Sequence, residues 1–338
     1  MENSILIILS FMCINFALIF LFHKIKIFNF NIDVPDKIRK FHSKPTPLAG
    51  GQIIFFNLII YCIILKFQNN LLEKEVFFQS QSSLNYFMMI ATLIFILGFV
   101  DDKLNLRPNL KFLILIVIIF LQLYLDNNLI LDKIKFSFLK DEFFLKNFKL
   151  IFSIFCFVVF LNALNMFDGI NLQSSIYSLL IFSCIIFFYI FSLIVSILII
   201  SMIAFSYLNY KNKTFLGDSG SLLLGYLISY FFISLYNQNY IIYADQVVLY
   251  MIIPGLELIR LFIIRILEKK NPLNSDRNHL HHLLLSKYSL EKTLIILIFL
   301  LCYPIMLSLF DINNIITIIS TSLIYFTLVV FIKKKIIH

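Results

Sequence analysis

Long apolar runs alternate with short polar clusters along this chain. The runs fall near residues 4–22, 51–65, 84–100, 112–125, 150–164, 174–190, 193–209, 221–235, 247–267, 293–309 and 315–332. Most match or approach the roughly 17–25 residues a helix needs to cross a bilayer's hydrocarbon. The runs at 112–125 and 150–164 are short, and only Phe191-Ser192 separates the sixth from the seventh; tilt or burial in a bundle accommodates short spans. The pattern predicts an all-α integral membrane protein, a polytopic bundle of about 10–11 transmembrane helices. No internal repeat or soluble segment interrupts it, so residues 1–338 read as one transmembrane domain. The first run follows Met-Glu-Asn-Ser with no basic flank or small-residue cleavage site, and reads as a retained helix.

Five polar clusters separate these runs: Asp33 to Gly51, Asp101-Asp102, Asn162 to Asn171, Gly217 to Ser221, and Asp276 to His282. With the spans counted as above, all five fall on one side of the membrane. Polar residues beside hydrocarbon are expensive, so their collection on one face points to a site.

Composition agrees. The chain is 60% hydrophobic and 14% charged, which excludes an ordinary soluble domain. Ile, Phe, Lys and Asn are so abundant that no single Phe or Ile carries meaning. The net charge of +9 reads as basic residues at membrane edges and not as nucleic-acid binding. If the N-terminus is outside, Lys and Arg favour the cluster-bearing side by more than two to one, which assigns it to the cytoplasm. The segment from Asp126 to Lys149 is the dissenter, a mixed acidic and basic hairpin on the outer surface. The five cysteines are scattered through apolar runs and predict neither disulfides nor a zinc site.

Each cluster has a chemical and a plainer reading. Asp101-Asp102 ends an apolar helix, where adjacent carboxylates need a cation or partner unless both are solvated. Lys111 either neutralises a phosphate or anchors the next helix. Asn162, Asn165 and Asp168 recur three apart, with Asn171 three further, which near a helix end puts them roughly on one face. Their oxygens are hard ligands suited to Mg²⁺, though a polar cap and turn would use the same residues. Gly217 to Ser221 opens a helix whose first N–H groups form an anion site, with Asp218 beside it for a metal; a glycine turn and N-cap is the alternative. In Asp276 to His282, Arg277 offers a fork for phosphate oxygens. His279, His281 and His282 admit zinc, but phosphate contact ranks higher without a second ligand cluster. The first loop joins Arg39, His42 and Lys44 to P-x-P-x-x-G-G, and basic groups beside an apolar helix suit a lipid phosphate.

In this order the segments resemble the polyprenyl-phosphate N-acetylhexosamine-1-phosphate transferases, glycosyltransferase family 4 of the phospho-MurNAc-pentapeptide transferase superfamily. The resemblance runs from about residue 33 to 285, and the first loop with D-R-x-H-x-H-H favours the hexosamine branch. It implies catalytic roles for Asp101, Asp102, Lys111, His279, His281 and His282. It implies Mg²⁺, with Mn²⁺ as substitute, on Asn165 and Asp218. Nucleotide contact falls to Asp168 and Asn171 beside Asn165, and diphosphate and sugar contact to Arg277. Asn162, Arg39, His42 and Lys44 complete the candidate substrate-binding set. Many bacterial members carry D-G-I-D-G-L where this chain has D-G-I-N-L-Q, and Asn171 there is similar to the eukaryotic branch.

The implied reaction moves HexNAc-1-phosphate, GlcNAc-1-phosphate first, from a UDP-sugar to undecaprenyl or another polyprenyl phosphate. UMP is released, and a cell-envelope polysaccharide such as lipopolysaccharide O-antigen is started. The expected partners are UDP-N-acetylhexosamine, polyprenyl phosphate and the lipid bilayer, with no nucleic acid and room for a homodimer. The expected location is the inner membrane, multi-pass, with a cytoplasmic active site. A transporter and a non-catalytic polyprenyl-phosphate-binding protein are the competing readings; acids at helix ends, away from the midplane, weigh against a transporter.

Overall fold

The computed structural model describes residues 2–25, 30–35, 44–273 and 278–337. In chain order it contains α1 (Glu2–Ile25), strands β1 (Ile32–Asp33) and β2 (Thr46–Pro47), α2 (Gly50–Phe67), the single turn α3 (Asn69–Leu72), α4 (Gln81–Leu104) and α5 (Pro108–Leu125). Strands β3 (Lys133–Ile134) and β4 (Phe143–Phe144) precede α6 (Lys149–Phe167) and α7 (Gln173–Cys184). Then come α8 (Leu193–Tyr210), α9 (Gly217–Asn237), α10 (Ala244–Leu267), α11 (Leu280–Leu285), α12 (Leu290–Leu309) and α13 (Asn314–Ile337).

Among the described residues, ten helices are long and apolar enough to cross a membrane. The predicted sixth span is the exception: α7 continues as a π-helical turn, Ile185–Tyr189, and gives only a shorter apolar helix. The weak break at Phe191-Ser192 is real, because Ser192 is extended and its side chain accepts from the Val195 N–H at the start of α8. The two runs that read as short, 112–125 and 150–164, are both longer in the structure. Helix α5 begins at Pro108, whose fixed φ suits a first helical position, with Arg107 extended before it. Helix α6 gains its first residues from a 3₁₀ turn at Lys146–Phe148.

Helix α9 is the axis of the bundle, with 94% of its spanning segment buried. A helix apolar on all sides belongs inside others, and α2, α4 and α6 surround this one. Phe87 of α4 stacks on Tyr226 of α9, and Tyr226 in turn meets Phe157 of α6.

The first loop docks on the segment that enters α9. Strands β1 and β2 pair antiparallel, Ile32 opposite Pro47. The Phe215 N–H donates to the Pro47 carbonyl at 3.0 Å, and the Gly50 and Gly51 N–H groups donate to the Phe215 and Leu216 carbonyls at 3.0 and 3.1 Å. The ordered P-x-P-x-x-G-G run thus fixes the start of α2 against the start of α9. At the other end of the bundle, the β3–β4 hairpin sits over the α9 C-terminus: the Lys135 N–H donates to Tyr236 Oη at 2.8 Å and the Ser137 N–H to Asp245 Oδ1 at 2.9 Å.

Candidate active site

One cavity of about 1080 Å³ opens at the end of the bundle where α4 finishes, α5 and α9 begin, and α6 gives way to a turn. Its lining draws on all five polar clusters, including Asp33, Asp101, Asp102, Asn165, Asp218 and His279. Residues of the five clusters therefore meet at one end of the bundle.

Lys111 is its electrostatic centre. From the first turn of α5 its Nζ reaches Asp101 Oδ2 at 2.6 Å and Asp218 Oδ2 at 2.5 Å, with the lysine side chain only 12% exposed. Asp101 also accepts from the Leu106 N–H at 2.7 Å, which ties the α4–α5 loop to the same carboxylate. The Asn165 amide completes the group. With its oxygen turned toward Lys111 Nζ at 2.9 Å, its nitrogen donates to Ser221 Oγ at 2.6 Å and to Asp218 Oδ1 at 3.1 Å. Lys111 is thus part of the site and no mere interfacial anchor.

Asp102 has a different use. Its Oδ1 accepts from the Asp218 N–H at 2.7 Å, and its Oδ2 from the Ser219 N–H at 3.1 Å and Ser219 Oγ at 2.8 Å. The predicted anion site at the start of α9 is therefore filled from within the chain, by a carboxylate that caps the helix and its dipole. Gly217 makes the approach possible: its φ is +74°, and a Cβ there would stand 2.7 Å from Asp102 Oδ2.

The second wall is the turn after α6. The helix ends at Phe167, so Asp168 and Asn171 do not continue the face of Asn162 and Asn165 as the spacing suggested. A turn with Leu172 at φ +69° carries them in. Asn162 is held by its own helix, donating to the Val158 carbonyl at 2.7 Å. Asn171 Nδ2 donates to Asn212 Oδ1 at 2.5 Å, and the Leu172 N–H to Asn209 Oδ1 at 2.7 Å, which joins the turn to the end of α8. Burial, with the Asp218 and Asp102 carboxylates adding to it, pushes the Asp168 carboxyl up to about 7.

The three histidines cluster on the opposite rim. Ring centroids lie 5.1 Å apart for His279 and His281, and 4.3 Å for His281 and His282. Burial, reinforced by His279, His282 and the Arg260 charge, drives His281 well below its ordinary pKa, so it is a neutral imidazole. Its ring packs onto Gly169, where any Cβ would collide with it.

Arg39, His42 and Arg277 lie outside the described residues. Lys44 is exposed and does not line the cavity. Conversely, Asn209, Asn212, Phe215 and Arg265 line it without having stood out in the sequence. Two more residues behind the histidines, Glu257 and Arg260, are buried in α10. Their signal was available: two charges three apart inside a membrane-length apolar helix are costly and mark function.

The donor set suits Mg²⁺. Asp218 and Asn165 bring a carboxylate and a carboxamide together at 3.1 Å in a mouth that admits water and phosphate. Magnesium typically takes one or two protein oxygens and completes its shell with those. Among the described residues, no group of three or more His, Cys, Asp or Glu is placed to hold a metal ion, so any such site rests on Asp218 and the Asn165 amide.

Comparison with known proteins follows this geometry. The chain is 26% identical over 273 residues to an undecaprenyl-phosphate alpha-N-acetylglucosaminyl 1-phosphate transferase of Thermotoga maritima, covering 79% of this chain and 77% of that one. It is 26% identical over 280 residues to a probable undecaprenyl-phosphate N-acetylglucosaminyl 1-phosphate transferase of Bacillus subtilis, covering 80% and 74%. A Salmonella typhi relative named as the first is 23% identical over 279 residues, covering 79% and 72%. The profile of glycosyl transferase family 4 matches residues 84–236, the stretch that carries Asp101, Lys111, Asn165 and Asp218.

Proposed function

We propose that this protein transfers a HexNAc-1-phosphate, with GlcNAc-1-phosphate the first candidate, from a UDP-sugar to a polyprenyl phosphate at the cytoplasmic face of the inner membrane. The observation that carries this reading is the single cavity in which Asp101, Lys111, Asn165, Asp168, Asp218 and the histidines converge. Its volume of about 1080 Å³ suits a nucleotide-sugar, and it opens at one end of the helix bundle, where a lipid phosphate would have to enter. The relatives' names supply the substrate class.

In the proposed reaction an oxygen of the lipid phosphate forms a bond to the β-phosphorus of the UDP-sugar. The bond from that phosphorus to the α,β-bridging oxygen breaks, and UMP leaves. Such transfers ask a protein mainly for alignment and charge stabilisation. Mg²⁺ held by Asp218 and Asn165 would neutralise diphosphate charge.

The chain's own residues divide the remaining work. Lys111 brings a fixed positive charge to the cavity floor, aimed by Asp101. Asp102 holds Asp218 by its backbone. Both members of the Asp-Asp pair have their oxygens engaged, so they act as positioning groups rather than proton acceptors. The nucleophile needs no strong base, because a phosphate monoester with a second pKa near 6 is largely ionised at neutral pH. The neutral His281 and its neighbours face the space left for the diphosphate and sugar.

The test is release of labelled UMP from UDP-GlcNAc by purified protein given Mg²⁺ and undecaprenyl phosphate. Release that needs both the lipid phosphate and the metal is expected. Absence of UMP with every UDP-HexNAc offered would overturn the reading and favour a non-catalytic lipid-phosphate binder.

A further inference from the structure

Behind the histidine rim lies a charged cluster inside the bundle. Glu257 and Arg260 face each other on α10, with side chains 3% and 5% exposed, and Tyr325 meets them from α13. Arg260 Nη2 donates to Glu257 Oε1 and Oε2 at 2.9 and 3.0 Å, and Arg260 Nε donates to Tyr325 Oη at 2.8 Å. Tyr325 in turn donates its hydroxyl to Glu257.

This cluster grips the chain on both sides of His279. Arg260 Nη2 donates to the Asn278 carbonyl at 2.7 Å. Glu257 Oε1 accepts from the Leu280 N–H at 2.8 Å and stands 3.5 Å from His279 Nδ1. One acid–base pair thus holds the peptide before His279 and the peptide after it, and its carboxylate stands beside one edge of the ring.

Simple packing explains this poorly. Desolvating two ions is costly, and apolar residues of the same volume often stabilise a buried position equally well. An arrangement that spends its polar contacts on a short backbone stretch beside a cavity fixes geometry instead.

We infer that Glu257 and Arg260 are positioning residues that set where the His279 imidazole stands in the cavity, an inference that rests on the transfer reaction proposed above. The Glu257 carboxylate favours a proton on the near ring nitrogen, Nδ1, and leaves Nε2 as the other edge of the ring. Tyr325 completes the clamp from α13, coupling the last helix of the bundle to the site.

Two measurements test it. In hydrogen exchange of the full-length protein in detergent, Glu257→Gln should accelerate exchange at residues 278–285 by at least about tenfold while α4 and α9 keep their protection. Unchanged exchange there would overturn the clamp whether or not the protein turns over UDP-sugar. The second is a kinetic double-mutant cycle. Glu257→Gln alone should lower kcat by at least about tenfold with KM for the UDP-sugar within about twofold, and Glu257→Asp should recover part of the loss. In a His279→Ala background, Glu257→Gln should cost less than about twofold. Losses that multiply would show that Glu257 acts independently of His279 and end the inference. A wild-type protein that releases no UMP would sink the reaction instead, with the exchange result still deciding the clamp.

Discussion

The Asp102 carboxylate accepts the backbone N–H of Asp218 at 2.7 Å, so one acid of the site is held in place by another. The same carboxylate takes the Ser219 N–H and hydroxyl. Asp102 therefore sets the direction in which α9 presents Asp218 to the cavity. Asp102→Ala removes the cap and leaves two buried N–H groups without their acceptor. Loss of an N-cap costs about 1 kcal/mol and an orphaned buried donor about 1–3 kcal/mol. Asp102→Ala is expected to lower the melting temperature and to reduce UMP release at least about tenfold. Asp218→Asn should abolish release with a much smaller thermal shift. Equal thermal losses in the two variants would contradict this division of labour.

Gly217 shares that junction. Its left-handed backbone and its closeness to Asp102 both exclude a side chain. Gly217→Ala adds the strain of positive φ to a collision with a carboxylate held by three hydrogen bonds, of order 1–3 kcal/mol in all. The variant should melt lower and lose most activity. Combining it with Asp102→Ala should cost less than the sum of the two, as measured by thermal unfolding in detergent.

Lys111 occupies the space between the oxygens that a divalent cation would also seek. Lys111→Met leaves Asp101 with the Leu106 N–H as its remaining named donor. Breaking a buried ion pair costs about 3–5 kcal/mol, and the lower end applies here because Asp218 is 37% exposed. Turnover should fall by orders of magnitude. Magnesium should nonetheless bind this variant more tightly than wild type, because the ammonium no longer competes for the Asp218 and Asn165 oxygens. Calorimetric titration with Mg²⁺ reads this directly; weaker binding in Lys111→Met would mean that Lys111 supports the metal rather than displacing it.

The sequence revealed these parts unevenly, for physical reasons. Spans of apolar residues are long-range signals, and all eleven predicted runs became helices, including α7 with its π turn. Asp101, Asn165, Asp218 and the histidines were legible because polar residues at membrane helix ends need partners. Their division of labour was not. Asp101 and Asp102 are adjacent yet serve Lys111 and the α9 N-terminus respectively, since successive helical residues point about 100° apart. Asp168 and Asn171 depart from the helical spacing of Asn162 and Asn165 because α6 stops at Phe167. Glu257 and Arg260 are masked by the apolar average of α10, although two buried charges three residues apart are costly in a spanning helix.

The Asp168 carboxyl gives the site a pH signature. Its pKa is raised to about 7, against about 3.9 in an unfolded chain. Between those values the folded protein holds a proton that the unfolded chain releases. The stabilisation is complete below about pH 4 and is lost as pH rises through 7. Asp168→Asn removes the titration. The melting temperature of Asp168→Asn minus that of wild type should therefore rise from pH 5 to pH 8. The His281 contribution is common to both proteins and cancels in the difference. A flat difference would mean that Asp168 is ionised throughout.

Gly169 and His281 supply the sharpest steric test. The His281 ring is 2% exposed and rests where a Gly169 side chain would begin. Gly169 itself is exposed, so Gly169→Ala would be harmless if burial alone mattered. Here the new methyl must push either the turn that carries Asp168 or the histidine rim, and overpacking of this kind costs about 1–3 kcal/mol. Gly169→Ala should lower both thermal stability and UMP release. His281→Ala makes room for the methyl, so Gly169→Ala in that background should cost little further stability while release stays low. A full thermal penalty in both backgrounds would show that the strain lies in the backbone of the turn and not between these two residues.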